Sequence, residues 1–195
     1  FDALPDRFVL KCTHDSGGVI ICKDKSKLDI PAAKAKLNKR LKRNYYWVNR
    51  EWPYKDVPHR IIAEKYMEDE SGELRDYKVL CFNGEPKLIE LHMGRFTKHT
   101  QDFYDTQWKR QDLIQGSPMA DEPTPRPVFL DDMLKMSSEL SKDFPHIRVD
   151  WYGIEGKLYL GELTMYDASG LCAFDLEEWD SELGSWIELP NQQRK

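Results

Sequence analysis

Arg148, Asp150 and Glu162 lie in two β-rich runs, Ile147-Arg148-Val149-Asp150-Trp151-Tyr152 and Leu158-Tyr159-Leu160-Gly161-Glu162-Leu163-Thr164, joined by a Gly-bearing turn. Folded as a hairpin, the runs bring an arginine and two carboxylates together, a combination suited to a magnesium-phosphate complex. The turn Gly153-Ile154-Glu155-Gly156 predicts a three-residue loop closed by Gly156 at positive φ. That register sets Gly153 against Lys157, Asp150 against Leu160 and Arg148 against Glu162, with Asp150 and Glu162 as diagonal neighbours. Adjacent bare carboxylates repel, which raises one pKa unless a cation sits between them. A solvent-facing Arg/Glu cross-strand pair explains the same residues equally well.

A second constellation lies near the start of the chain. Lys11 ends the run Phe8-Val9-Leu10-Lys11, and the loop His14-Asp15-Ser16-Gly17-Gly18 separates it from a further β-rich run, Val19 to Lys23. In a Walker A motif the lysine follows the glycines and opens a helix, so this order excludes a P-loop. The set of motifs that accompanies a protein-kinase glycine loop does not occur in order either. What remains is a hairpin whose backbone N–H groups could cover phosphates while Lys11 reaches in, or else a plain turn.

Composition limits the alternatives. The chain has 195 residues, 32% charged and 12% aromatic, which suits one domain with a sizeable core or two small lobes. A formal net charge of -5 and a pI near 5.6 argue against general nucleic-acid binding, which needs a basic surface. No apolar run is long enough to span a bilayer, and the reading is cytoplasmic. Cys12, Cys22, Cys81 and Cys172 show no CxxC pair and read as reduced strand residues. A start at Phe1, almost at once followed by a strand, reads as a fragment with part of a small lobe upstream.

The elements that would position these residues follow from local signals. Pro31 to Arg43 predicts a helix, with proline in its first turn and a basic end. Tyr45, Tyr46, Trp47, Trp52 and Tyr54 read as a loop covering a core edge, with sugar stacking as the alternative. Arg60 to Met67 predicts a strand. Asp76 to Phe82 and Lys87 to Met93 predict a hairpin turning at Asn83-Gly84. Gln111 to Pro127 reads as loop, Leu130 to Asp143 as a helix, and Phe174 to Leu189 as a closing helix with loops. The pattern is α+β with mainly antiparallel hairpins.

Taken in order, the pieces resemble the ATP-grasp superfamily, and more narrowly the TupA-like ATP-grasp family, named for teichuronopeptide biosynthesis. The resemblance rests on Leu4-Pro5-Asp6-Arg7-Phe8-Val9-Leu10-Lys11, Ser16-Gly17-Gly18, Arg50-Glu51-Trp52-Pro53-Tyr54 and Ile62-Ala63-Glu64-Lys65-Tyr66, followed by Asp76-Tyr77-Lys78, Phe82-Asn83-Gly84-Glu85-Pro86, Arg148-Val149-Asp150 and Gly161-Glu162-Leu163-Thr164. It implies two α+β lobes with mainly antiparallel sheets gripping ATP between them, the smaller one over residues 1–63 and the larger over 64–195. It also implies a ligase that joins a carboxylate to an amine, or a similar nucleophile, through an acyl phosphate with release of ADP.

Residue by residue, the resemblance implies that Lys11 holds the α and β phosphates under a flap of Ser16, Gly17 and Gly18. Glu64 is implied near the adenine amino group, with the main chain of Lys65, Tyr66 and Met67 along the adenine edge and a ribose ligand within Glu68 to Glu70. Asp150 and Glu162 are implied as ligands of two magnesium ions, and Thr164 stands where many relatives carry asparagine. Arg148 is implied to face the transferring phosphate, while Lys78, Arg95 and Lys98 are further cations that reach the phosphates or an acidic acceptor, or else are solvated; Lys78 counts with Arg148 and Lys11 among the expected catalytic residues. After Thr164 the segment Met165-Tyr166-Asp167-Ala168-Ser169-Gly170 lacks a proline often found in relatives. The implied acceptor is a carboxylate-bearing sugar or peptide of a cell-surface polymer, with an amine donor and association with polysaccharide-biosynthesis enzymes. A weakly active nucleotide-binding partner and a phosphotransferase using the same site are the alternatives.

Overall fold

The computed structural model describes residues 1–70, 72–95 and 97–189. The chain divides into two compact units, Phe1–Met67 and Glu68–Lys195. Every strand pair among the described residues is antiparallel, and helices accompany both sheets, so the class is α+β.

The first unit is built on β1 (Phe8–Cys12), which lies between β2 (Ile20–Cys22) and β3 (Ile61–Lys65). Strand alternation turns Phe8, Leu10 and Cys12 inward, where they bury with Cys22 against Leu37 of α1 (Ile30–Leu41), and leaves Val9 and Lys11 on the opposite face. The side chain of Asp29 accepts from the Ala32 N–H at 2.9 Å and Pro31 sits in the first turn, so the helix starts as its signals predict. The aromatic stretch after it differs from the expected loop. It forms a one-turn helix, α2 (Tyr46–Asn49), and a 3-10 turn at Trp52–Tyr54. Trp47 and Trp52 are exposed and cover no core edge.

The second unit is a six-stranded sheet in the order β7 (Arg110–Gln111), β6 (Thr100–Asp105), β5 (Glu85–Met93), β4 (Asp76–Phe82), β8 (His146–Ile154) and β9 (Lys157–Thr164). On one face Tyr77, Val79, Ile89, Leu91, Ile147, Val149 and Trp151 pack under Leu130 and Met133 of α3 (Leu130–Ser141). The other face changes character along its strands. At one end Leu80, Phe82, Leu88, Phe103 and Leu113 bury with Leu183 of the last helix, α4 (Glu177–Ser185). At the other end β4, β5 and β8 carry Asp76, Lys78, Glu90 and Asp150, all buried. Cys12, Cys22 and Cys81 are buried strand thiols, whereas Cys172 is exposed and lies in no strand, contrary to the sequence reading.

The register of the β8–β9 hairpin corrects the sequence expectation. Ile154 pairs with Lys157 across a two-residue loop in which Glu155 and Gly156 have φ of 50 and 74 degrees, the same left-handed pair that Asn83 and Gly84 adopt between β4 and β5. Gly153 therefore faces Leu158, and Trp151 faces Leu160. Between Asp150 and Trp151 the register shifts, with Gly161 as the extra residue of β9.

Candidate functional site

The bulge decides what β9 contributes. Because side chains alternate, continuing the loop's register would set Gly161 opposite Asp150 and turn Glu162 to the other face. With the extra residue, Asp150 faces Glu162 and Arg148 faces Thr164. The paired carboxylates are thus direct partners, where the sequence reading had them as diagonal neighbours. A Cβ on Gly161 would stand 2.9 Å from Cε2 of Tyr152 and 3.3 Å from the carbonyl oxygen of Asp150.

Around this pair the sheet face holds a continuous row of charge. Lys78, cross-strand to both Asp150 and Glu90, places its Nζ 2.6 Å from Oδ2 of Asp150 and 2.8 Å from Oδ2 of Asp76. Arg148 grips Asp150 with two nitrogens, at 2.7 and 2.9 Å, donates to the Thr164 hydroxyl at 3.2 Å and pairs with Asp167. Arg95 reaches Asp76 at 3.3 Å. Glu90 accepts from Gln101 at 2.7 Å and from His92, whose Nδ1 lies 2.8 Å from Nε2 of His99. Lys98, in contrast, pairs with Asp121 where both are well exposed, and belongs to the solvated class.

The electrostatics follow from this packing. Burial pushes the Asp150 carboxyl up, but Arg148 and Lys78 overcome it and hold the group below its ordinary range. Glu90 behaves alike: burial raises it, and His92, Arg148 and Lys78 bring it lower. Asp167 goes the other way, because burial outweighs its pairing with Arg148. Oδ1 of Asp76 and Oε2 of Glu90 are buried without a hydrogen-bond partner among the described residues.

In the first unit, Lys11 forms an ion pair of 2.8 Å with Glu64. The strand pairing puts both on the face away from the core, since Val9 stands against Glu64 and Lys11 against Ile62. Lys65 closes β3, and Tyr66 and Met67 follow it, with the Arg7 guanidinium 4.3 Å from the Tyr66 ring centroid. The Gly-rich loop is anchored from below. Asp15, its side chain buried, pairs with Arg40 at 3.1 Å and Arg43 at 3.2 Å, and Arg40 also donates to the Ser16 carbonyl at 3.3 Å. A Cβ on Gly18 would meet Oδ2 of Asp15 at 2.8 Å, so the anchor requires glycine there. Gly17, at φ 78 degrees, faces open space. Of the acidic turn after Met67, Asp69 and Glu70 both lie beside Arg75, at 3.7 and 3.2 Å.

Sequence reasoning missed Asp76, Glu90, Asp167 and the Asp15–Arg40 anchor. For Asp76 a signal was present: β4 alternates charged and apolar residues up to Val79 and then runs apolar from Leu80 to Phe82, which sets Asp76 on the same face as Lys78. Among the described residues no three His, Cys, Asp or Glu side chains form a metal-holding group by themselves. None of their helices is long and apolar enough to cross a membrane.

No curated protein matches the chain. A D-alanine–D-alanine ligase from Bacillus anthracis complexed with ATP aligns at 17% identity over 94% of this chain and 49% of that one, with a TM-score of 0.48. Another structure of the B. anthracis ligase aligns at 20% identity over 91% and 49%, with a TM-score of 0.47. The Helicobacter pylori ligase aligns at 15% over 83% and 43%, with a TM-score of 0.40. The chain spans less than half the length of each of these structures. The family model for TupA-like ATP-grasp matches residues 1–188, nearly all of the sequence, and the chain belongs to that family.

Proposed function

We propose that the chain binds ATP with magnesium and serves an ATP-dependent ligase that couples a carboxylate to an amine through an acyl phosphate. The acceptor in this reading is a carboxylate-bearing sugar or peptide of a bacterial cell-surface polymer, in keeping with the process for which the family is named. The observation that carries the reading is the direct pairing of Asp150 with Glu162 beside Arg148 and Lys78.

Charge balance supports a metal. Asp76, Glu90, Asp150, Glu162 and Asp167 outnumber Lys78, Arg95 and Arg148, so a triphosphate would meet a net anionic surface unless a further cation came with it. The donors fit magnesium: two carboxylates and a hydroxyl are hard oxygens, and magnesium completes its shell with phosphate oxygens and water. Asp150, Glu162 and Thr164 would hold it, and the bound ion would neutralise charge on the β and γ phosphates. The partnerless oxygens of Asp76 and Glu90 offer further places for positive charge on the same face.

The reaction needs alignment and charge neutralisation more than a protein nucleophile. A substrate carboxylate oxygen bonds to the γ phosphorus as the bond to the β–γ bridging oxygen breaks and ADP leaves. The amine then attacks the acyl carbon, phosphate departs, and the nitrogen loses a proton. In this reading Arg148, with a rigid fork of donors, binds the transferring phosphoryl group, exchanging Asp167 for phosphate. Lys11 contributes charge to the α and β phosphates, and the Ser16, Gly17 and Gly18 amides donate to them.

The test is thermal stabilisation by ATP with and without magnesium, for the native chain and for Asp150→Asn with Glu162→Gln. Stabilisation that needs magnesium and disappears in the double variant is expected; its absence from the native chain would overturn the reading. Hydroxylamine trapping over a panel of uronic acids and amino acids then detects the acyl phosphate. ADP release without a trappable acyl phosphate would replace the ligase with a phosphotransferase using the same site.

A further inference from the structure

The chain is acidic as a whole, with a formal net charge of -5, yet between Ile30 and Arg60 it carries nine Lys and Arg against two Asp and Glu. Some of these cations have internal work: Arg40 and Arg43 hold Asp15, and Lys36 donates to the Val19 carbonyl. Lys39, Lys42, Arg50 and Lys55 are exposed and have no carboxylate partner among the described residues. The remainder of the sequence is therefore strongly acidic, and an anionic surface can approach this segment far more readily than the rest.

The same segment displays apolar side chains. Trp47, Val48 and Trp52 are 63%, 52% and 62% exposed. They stand on an ordered frame. Asn44 accepts from the Tyr46 N–H at 3.0 Å and donates to the Lys55 carbonyl at 2.9 Å, tying α2 to the turn that bears Trp52. Tyr45 and Tyr54 meet edge to face at 4.9 Å, and Arg50, at φ 65 degrees, ends α2 in the left-handed region between the two tryptophans. The Arg50 guanidinium lies 4.4 Å from the Trp47 ring centroid. Two tryptophans and a valine are thus exposed in the same short segment as Arg50 and Lys55, both of which lie over its aromatic rings.

We propose that this surface docks on an anionic lipid bilayer. Tryptophan favours the headgroup region, where its ring leaves water while its N–H stays solvated, and flanking Lys and Arg bind acidic headgroups. Val48 fits a lipid boundary but has no part in stacking on a sugar, and the Arg50 guanidinium already occupies the Trp47 ring. A soluble acidic polymer would use the cations and gain nothing from Val48. The inference is independent of the nucleotide reading, since none of its residues belongs to that site.

The experiment is co-sedimentation of the full chain with phosphatidylcholine vesicles, with and without phosphatidylglycerol, together with tryptophan fluorescence. Binding to the anionic vesicles about tenfold tighter than to neutral ones, weakened by salt and accompanied by a blue shift, is the expected result. Trp47→Ser with Trp52→Ser should weaken binding and remove the shift. Lys39→Glu, Lys42→Glu and Lys55→Glu together should abolish the preference for anionic lipid. All of these side chains are exposed, and circular dichroism verifies that the variants fold. Equal binding to both vesicle types, no binding, or full competition by soluble polyglucuronate without a blue shift would each overturn the proposal, the last by assigning the surface to an acidic polymer.

Discussion

Asp150 faces Glu162 across the β8–β9 ladder because Gly161 adds one residue to β9 between Leu160 and Glu162. A β-branched residue at that position favours a regular ladder, and its Cβ would collide with the Tyr152 ring at 2.9 Å. Gly161→Val is therefore expected to retain the fold with a loss of about 1–3 kcal/mol, and to lose magnesium-dependent stabilisation by ATP as Glu162 and Thr164 leave the Asp150 face. Circular dichroism and the thermal-shift assay check both parts.

Lys78 lies between two buried carboxylates, and its removal leaves Asp76 with a single, more distant partner in Arg95. Lys78→Met is expected to destabilise the chain by about 3 kcal/mol in urea titration, as when one partner of a buried ion pair is deleted. Adding Asp76→Asn should restore part of the loss, since the uncompensated charge is then gone.

Gly153 sits under the Phe129 ring, and a Cβ there would come within 2.0 Å of Cζ. Phe129 in turn meets Tyr77 edge to face at 5.3 Å on the covered side of the sheet. Gly153→Ala should cost about 1–3 kcal/mol by displacing that ring, and Phe129→Leu in the same chain should recover some of it. Unfolding midpoints of the single and double variants measure the coupling.

Stability should fall as the medium is acidified from neutrality. His146 is held below its ordinary pKa mainly by burial, and His99 likewise, with His92 and Arg95 adding to the effect. A histidine whose folded pKa is depressed stays neutral in the folded chain while the unfolded chain takes up a proton. Its contribution is complete above the unfolded value of about 6.5 and is lost as pH falls through the folded value. Asp150, also depressed, acts at much lower pH, below the ordinary carboxylate range. Melting temperatures between about pH 7.5 and 5.5 should therefore decline, and His146→Asn, which keeps a donor for the Cys81 carbonyl, should flatten part of the slope.

The residues of the hairpin were legible in the sequence, and their register was not. Gly156 and Asn83-Gly84 announce turns, but Glu155 at positive φ carries no such signal, and its conformation shortens the loop by one residue. A bulge then reverses the consequence for Glu162, and nothing in Leu160-Gly161-Glu162 distinguishes a bulging glycine from an ordinary one. β6 escaped because it begins Thr100-Gln101-Asp102, polar residues that are buried through their partners: Gln101 with Glu90, and Asp102 with Arg110. Glu90 escaped for the same reason. Charged residues on strands read as a solvated face until the pairing of strands distant in sequence shows them gathered together. For Trp47 and Trp52 the error was of the opposite kind, since hydrophobicity suggested burial and the short helical turns hold both outward.

β9 forms an outer edge of its sheet, and Leu160 and Leu163 on it are substantially exposed. A straight edge of that composition would template the addition of a strand from a neighbouring molecule. The kink at Gly161 breaks the regular spacing of its outward-facing amides and carbonyls, and the charge of Glu162 stands beside the break. The glycine that aligns the acidic pair thus also interrupts an exposed apolar edge, so a straightened β9 would lose the pairing and present a more regular edge to neighbouring molecules at the same time.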